Sequence, residues 1–482
     1  MSRENAEVRI AGGARTRIAH GRSHLEERIA RGERIYGVNT GVGGNIGIAV
    51  GPEQMETMQA NLVRHLSCAT GAPLPRDVVR AAMLLRAATF STGTSAVRNV
   101  LLDALAAMLN RGVTPVVPRY GSVGASGDLM PSAYIARVLA GLGEAEFEGR
   151  RMPAPEALRT AGIEQVRFAP KEALALINGT TVMTAVAALV WVDAFQVLRS
   201  LLGAVALAIE AMQAPDLPFH PQVQQWKGHP GQIAVAALLM ELLAGSGYTQ
   251  ATSGQTCYSL RCAPQGLGQV WEALTDARAT IEREINSAND NPLIDPDTGD
   301  LYKAGNFYGG HIARLLDTWK IDFATMANWG NAVMALLVDD RFNAGLPVNL
   351  TPEPGVNCGF KGMQLSVTSL ACAVRQMAGP STIHSTPTEQ YNQDMVSLGM
   401  HAAVTAMDAL ECLRNETAML LLAASQAVDL RGGPEKLGQG SRGVYASVRG
   451  RARFQEKDRP MEDEIAAVAA WIGGTDIPAC VA

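Results

Sequence analysis

Apolar residues recur at helical spacing through most of this chain. In "SAVRNVLLDALAAMLNRG" (residues 95–112), Val97, Val100, Leu101, Leu105, Met108 and Leu109 fall on one face. Ser95 stands where an N-cap belongs, and Gly112 where a helix should stop. The preceding "RDVVRAAMLLRAATF" reads the same way, so the pair predicts a helical hairpin broken at Gly93. Three longer stretches are apolar almost all round, at residues 181–215, 313–338 and 401–430. The first has the length of a membrane span, but Asp193, Gln196 and Arg199 interrupt it before a span is complete. A helix buried on most sides in a large bundle fits better. No alternation of strands and helices and no solenoid repeat is present. The expected fold is mainly α: a long-helix bundle core, short strands at the edges and a loop-rich N-terminal region. The expected division is a domain at 1–178 followed by a helical bundle domain at 179–482.

At 482 residues the chain exceeds what one core usually fills. With 47% hydrophobic and 18% charged residues it has ample material for a large interior. A net charge of −5 and the lack of a basic run argue against nucleic acid or an anionic membrane as partner. The first residues mix charge throughout, so no signal peptide is expected. Seven cysteines, scattered and unpaired in spacing, point to a reducing cytoplasm. No CxxC or HExxH occurs, and His220 and His229 flank a proline-broken loop that suits packing, so no metal is expected.

Two glycine-rich stretches call for chemistry. "YGVNTGVGGNIG" (36–47) lacks the Gly-Lys-Ser/Thr ending of a phosphate loop and any βαβ context, which disfavours a nucleotide site. "YGSVGASGDLMPSAYIA" (120–136) leaves the backbone almost bare before Asp128. It reads as a tight turn, as a helix start capped by Asp128, or as a backbone that itself reacts. If the amide nitrogen of Gly127 attacks the carbonyl carbon of Ala125, a five-membered ring closes. Loss of that water, and of the Ser126 hydroxyl as a second, leaves an exocyclic methylidene on an imidazolone. That is an electrophile of a kind no ordinary side chain offers, and Asp128 is placed to help move protons.

The motif set resembles the aromatic amino acid ammonia-lyases (histidine, phenylalanine and tyrosine ammonia-lyases) and the related aminomutases. The resemblance rests on "YGVNTG" at 36–41, "GASGDL" at 124–129, "LINGT" at 176–180, "CYSLRCAPQ" at 257–265, "EINSANDNPL" at 284–293, "GNF" at 305–307 and "EQYNQD" at 389–394. It implies 4-methylideneimidazol-5-one formed autocatalytically from Ala125, Ser126 and Gly127, with no metal or nucleotide. It implies Tyr36 as the base for the substrate's β-proton, and Asn178 against the cofactor oxygen. Tyr258 lies near the cofactor, and Arg261 pairs with the substrate carboxylate. Gln255 and Asn306 add hydrogen bonds, Phe307 packs beside the cofactor, and Glu389 and Gln393 lie near the amino group. His65 and Leu66 match the pair that reads the aromatic ring.

The implied assembly is a cytoplasmic homotetramer whose active sites draw residues from three chains. Gln393, where histidine-specific members carry glutamate, argues against histidine. A histidine at position 65 suits a phenol hydroxyl. The expected reaction is therefore L-tyrosine to trans-4-coumarate and ammonia. Alternatives are a phenylalanine or ring-substituted phenylalanine substrate, a 2,3-aminomutase, and a non-catalytic helical scaffold. Departures from the family pattern include Val42 and "GGNIG", Cys257, Tyr308, the Asn331-Ala332-Val333 triplet and a short 245–255 segment.

Overall fold

The computed structural model describes residues 2–4, 6–249 and 256–474. Among these the strands are two to four residues long and form three small antiparallel sheets, so helices build the core. The chain divides into two compact units. The first comprises Met1–Leu189, Ala279–Leu316 and Pro380–Val404; the second comprises Val190–Arg278, Asp317–Gly379 and Thr405–Ala482. The first crossing thus falls after Leu189 rather than after residue 178, and the first unit takes back two later segments.

In the first unit, the expected hairpin forms from Arg76–Phe90 and Asn99–Arg111. Gly93 between them has φ +85, and Gly112 ends the second helix at φ +80, a left-handed conformation glycine adopts without strain. Val97, Leu101, Leu105, Met108 and Leu109 are buried, whereas Val100 faces solvent. Ser95 is not the cap. The helix starts four residues later, and the Ser95 hydroxyl donates instead to Asp290 Oδ1 at 3.1 Å. The N-terminal region, read as loop-rich, carries helices Gly12–Ala30, Met55–His65 and Leu129–Leu139 between its loops.

In two helices that begin in the first unit and run on into the second, the all-round apolar pattern has its expected consequence. Thr181–Ala211 and Gly310–Val338 are long and apolar enough to cross a membrane, yet 61% and 44% of their most apolar windows are buried inside the protein. Asp193, which broke the first run, pairs with Arg414 at 2.9 Å. His220 serves its own helix: its Nδ1 accepts from Gln222 N, capping Pro221–Lys227.

One buried acid in the second unit is costly. Glu416 is fully buried beside Gly330, and the Asn331 backbone gives its carboxylate only weak relief. Burial, partly offset by the charge of Arg375, pushes its carboxyl up to about 9. The folded value lies above the unfolded one, so the folded chain binds the proton more tightly. Its contribution to stability is complete below the ordinary carboxylate range and is lost as pH rises toward about 9. The limiting slope is about 1.4 kcal/mol per pH unit. Glu416→Gln should flatten that limb and raise the melting temperature at pH 8 relative to wild type. Thermal scans from pH 5 to 9 check it, and parallel profiles for the two proteins would refute it.

Candidate active site

Four segments of the first unit bring the site together. The Leu129–Leu139 helix follows the Ala125-Ser126-Gly127 turn, and Asn178 ends Glu172–Ile177. The turn is strained at Ser126, which has φ +60, while Gly127 takes φ +80 as a glycine can. Gly127 lies on Gly179. A Cβ at Gly127 would meet Gly179 O at 2.1 Å, so no other residue fits without displacing backbone. Gly179 N donates to Ser126 O at 3.2 Å, and Asn178 Nδ2 donates to the same oxygen at 3.2 Å. Ser122 Oγ donates to Gly127 O, and Ser397 Oγ to Gly124 O.

Asp128 does not cap the helix that follows it with its side chain. Its Oδ2 accepts from Val182 N and Met183 N, both at 2.8 Å, and so caps the Thr181–Ala211 helix instead. Burial pushes its carboxyl up to about 7, against the lowering effect of those two amides.

Tyr36 reaches the turn from the glycine loop. Gly43 N donates to its hydroxyl at 2.9 Å. Burial raises its phenol above the ordinary value; the Gly43 amide lowers it and the charge of Glu389 raises it. Glu389 clamps that loop, because Gly44 N donates to its carboxylate at 2.9 and 3.1 Å. A Cβ at Gly43 would stand 2.4 Å from Glu389 Oε1, which explains the departure "GG" at this point. Glu389, Gln390 and Tyr391 hold successive positive φ of 49, 55 and 61, strain of about 1–3 kcal/mol each, although all three are exposed in the isolated chain. Gln393 Oε1 accepts from Thr388 Oγ1 at 3.0 Å, and its amide nitrogen has no partner among the described residues.

Two cavities meet at this point, of about 390 and about 350 Å³. Tyr36, Ala125, Ser126, Asn178 and Gln393 line both. The larger has an apolar wall of Val42, Leu62, Leu66, Leu129, Met130, Leu174 and Ile177, with His65 on it and Glu389 at the polar side. His65 is exposed in the isolated chain. Its Nδ1 lies 3.1 Å from Asn61 O, and its Nε2 meets no partner among the described residues. The smaller cavity is lined by Asn291, Lys303, Phe307, Tyr308, Asp394 and Met395 among others.

Other expected residues lie elsewhere. Asn306 donates to Ala288 O at 3.0 Å and lines neither cavity. Tyr258 and Arg261 belong to the second unit, on the short helix Tyr258–Arg261, and line neither cavity. The Arg261 guanidinium stacks over the Tyr258 ring at 4.7 Å, and its Nε is buried without a partner among the described residues. Gln255 lies outside the described residues. Sequence reading missed Asn291, Lys303, Thr388 and Gly44. Asn291 and Gly44 lie inside stretches already singled out, "EINSANDNPL" and "YGVNTGVGGNIG", and Lys303 stands two residues before "GNF".

The profile of the family described as aromatic amino acid lyase matches residues 1–450. A histidine ammonia-lyase from Anaeromyxobacter sp. (strain K) is 40% identical, over 98% of this chain and 96% of that protein. The phenylalanine aminomutase of Pantoea agglomerans superposes with TM-score 0.94 at 32% identity, covering 98% of this chain and 95% of the other. The tyrosine aminomutase of Streptomyces globisporus does so with TM-score 0.94 at 33% identity, covering 98% and 93%. The helical fold and the strained triad therefore belong to a carbon–nitrogen lyase. The chain is a member of the aromatic amino acid lyase family.

That family's self-formed 4-methylideneimidazol-5-one, used without a metal, fits the residues present. Gly127 sits where no Cβ is tolerated, Ser126 carries the leaving hydroxyl, and Asn178 Nδ2 donates to Ser126 O, the oxygen the ring would keep. No group of three or more His, Cys, Asp or Glu among the described residues could hold a metal ion.

Proposed function

We propose that this chain is a cytoplasmic ammonia-lyase converting L-tyrosine to trans-4-coumarate and ammonia. The observation that carries the reading is one cavity with Tyr36 and Ser126 at one end and His65 on an apolar wall at the other. The group made from the triad supplies an electrophile for the substrate's amino nitrogen. Tyr36 takes the β-proton, and Asn178 holds the oxygen side of the turn. Glu389 puts a negative charge near the ammonium end while anchoring the loop that bears Tyr36. Gln393 offers an uncharged amide where a carboxylate would favour an imidazole.

The relatives named for histidine speak for a different ring. The free Nε2 of His65 and the neutral Gln393 support the phenol against it. The assembly in this reading is a homotetramer. Tyr258 is 70% exposed in the isolated chain, and its neighbour Arg261 keeps a buried, unpaired Nε among the described residues, so a second copy has reason to cover them. Another copy would then bring Tyr258 and Arg261 to the cavity, the guanidinium pairing with the substrate carboxylate. A 2,3-aminomutase is the second reading, favoured by the two aminomutase structures that superpose on this chain.

Incubation of purified protein with tyrosine, phenylalanine and histidine, with product identification, tests all of this. Coumarate supports the proposal, a β-amino acid supports the mutase, and urocanate overturns the tyrosine assignment.

His65→Phe should shift preference from tyrosine toward phenylalanine. Removing the partner strands the hydroxyl at roughly 1–3 kcal/mol, and a decade in rate corresponds to about 1.4 kcal/mol. The ratio of the two kcat/KM values should move by more than about tenfold. An unchanged ratio would remove His65 from ring recognition.

A further inference from the structure

Beneath the triad lies a buried charge cluster, in which Arg86 has no part in the chemistry described so far. Arg86, on the Arg76–Phe90 helix, is 2% exposed. Its Nη2 donates to Thr181 Oγ1 at 3.2 Å, while Nε and Nη1 are buried with no partner among the described residues. A Cβ on Gly179 would stand 2.3 Å from Asn289 Oδ1, 2.7 Å from Asn289 O and 3.0 Å from Nη2, so Asn289 and the guanidinium together flank that glycine. Gly179 in turn bears on the triad: its carbonyl occupies the space of a Gly127 Cβ and accepts from Asp128 N at 2.7 Å. The order of layers is Arg86, Gly179, Gly127.

The charges match this stacking. Asp290, fully buried, is already taken up by Lys171 Nζ at 2.8 Å and by Ser95 at 3.1 Å. Asp128, also fully buried, has two backbone amides on Oδ2 and nothing among the described residues on Oδ1. The charge of Arg86 acts to lower Asp128, against that of Glu284, which raises it. Burial lowers the guanidinium to about 10, with Asp290 and Asp128 opposing, so it stays charged at neutral pH. An isolated buried charge costs several kcal/mol, roughly, so two empty donors on a buried guanidinium carry a large penalty.

We propose that Arg86 is a positioning residue for self-cyclisation, propping the Gly179–Thr181 turn against Gly127 and balancing the buried charge of Asp128. The proposal rests on the reading that the triad cyclises. In that step Gly127 N bonds to the Ala125 carbonyl carbon, and the carbonyl oxygen leaves as water with the amide protons of Gly127 and Ser126. The Ser126 hydroxyl then leaves with the Ser126 α-proton as the second water. No oxidant or reductant is required. Asp128, next in the chain after Gly127, can accept the first amide proton only while ionised, which is the state a nearby cation favours.

The test compares intact mass and thermal unfolding of wild type, Arg86→Met, Arg86→Lys and Thr181→Val. Wild type should be two waters lighter than its sequence; if it is not, the triad reading fails irrespective of Arg86. Folded Arg86→Met should show a cyclised fraction at least about tenfold lower, with Arg86→Lys recovering part of it. Complete cyclisation in folded Arg86→Met would overturn the proposal. Should Arg86→Met not fold, Arg86→Lys and Thr181→Val decide: a reduced cyclised fraction in either supports the proposal, and complete cyclisation in both overturns it.

Discussion

Ser126→Ala should yield a folded protein that keeps both waters and has almost no turnover. The β-hydroxyl is the group that must leave, and alanine has none. The fold should tolerate the change, because Ser126 Oγ makes no hydrogen bond among the described residues and alanine meets the same strain at φ +60. A stability change under about 0.5 kcal/mol is expected, as for substitutions away from packed or bonded features. Turnover should fall by more than the about 10²–10⁴ that a single general base contributes, since the electrophile itself is missing. Intact mass and a product assay measure both. Wild-type turnover in this variant would show that the triad is not the reactive group.

Tyr36→Phe should do the opposite: full cyclisation, an intact fold and turnover lower by about 10²–10⁴. The ring stays packed, and the loss in the fold is the one bond from Gly43 N, about 1 kcal/mol. Burial holds the phenol above its ordinary value in the isolated chain, so the basic form is scarce at neutral pH. Wild-type kcat/KM at low substrate should therefore climb with pH, approaching about tenfold per unit below that value, while the residual rate of the variant should not. A positive group brought in by another copy would move the limb to lower pH without changing its direction. Activity within a few-fold of wild type, or equal pH profiles, would remove Tyr36 from proton abstraction.

Much of this protein was legible before any coordinates. Three apolar runs demanded interior helices, since a stripe hydrophobic all round has no face to give to water. Gly112 marked its helix end because only glycine takes φ +80 freely. Bare backbone at Ala125–Gly127, with a hydroxyl between, announced the chemistry because cyclisation is local to three residues.

What failed to read from the chain were pairings between distant residues. Ser95 and Asp128 both looked like caps of the helices that follow them. Ser95 instead bonds Asp290, and Asp128 caps Thr181–Ala211. Local spacing names a donor or acceptor but not the remote backbone that will meet it. Asn306 likewise donates to Ala288 O, a partner its local spacing does not name. Nothing in the local spacing of the Arg76–Phe90 helix singles out Arg86, which tertiary packing buries.

The sequence by itself determined the helical class, the reactive triad and the motif residues, because each depends on neighbours within a few positions. Only the tertiary structure decided that Tyr36 and Asn178 converge on Ser126 between two cavities, that Glu389 clamps the tyrosine loop, and that Tyr258 and Arg261 stand in another unit. Those are matters of which surfaces close on one another, and burial with hydrogen-bond satisfaction across hundreds of residues selects them.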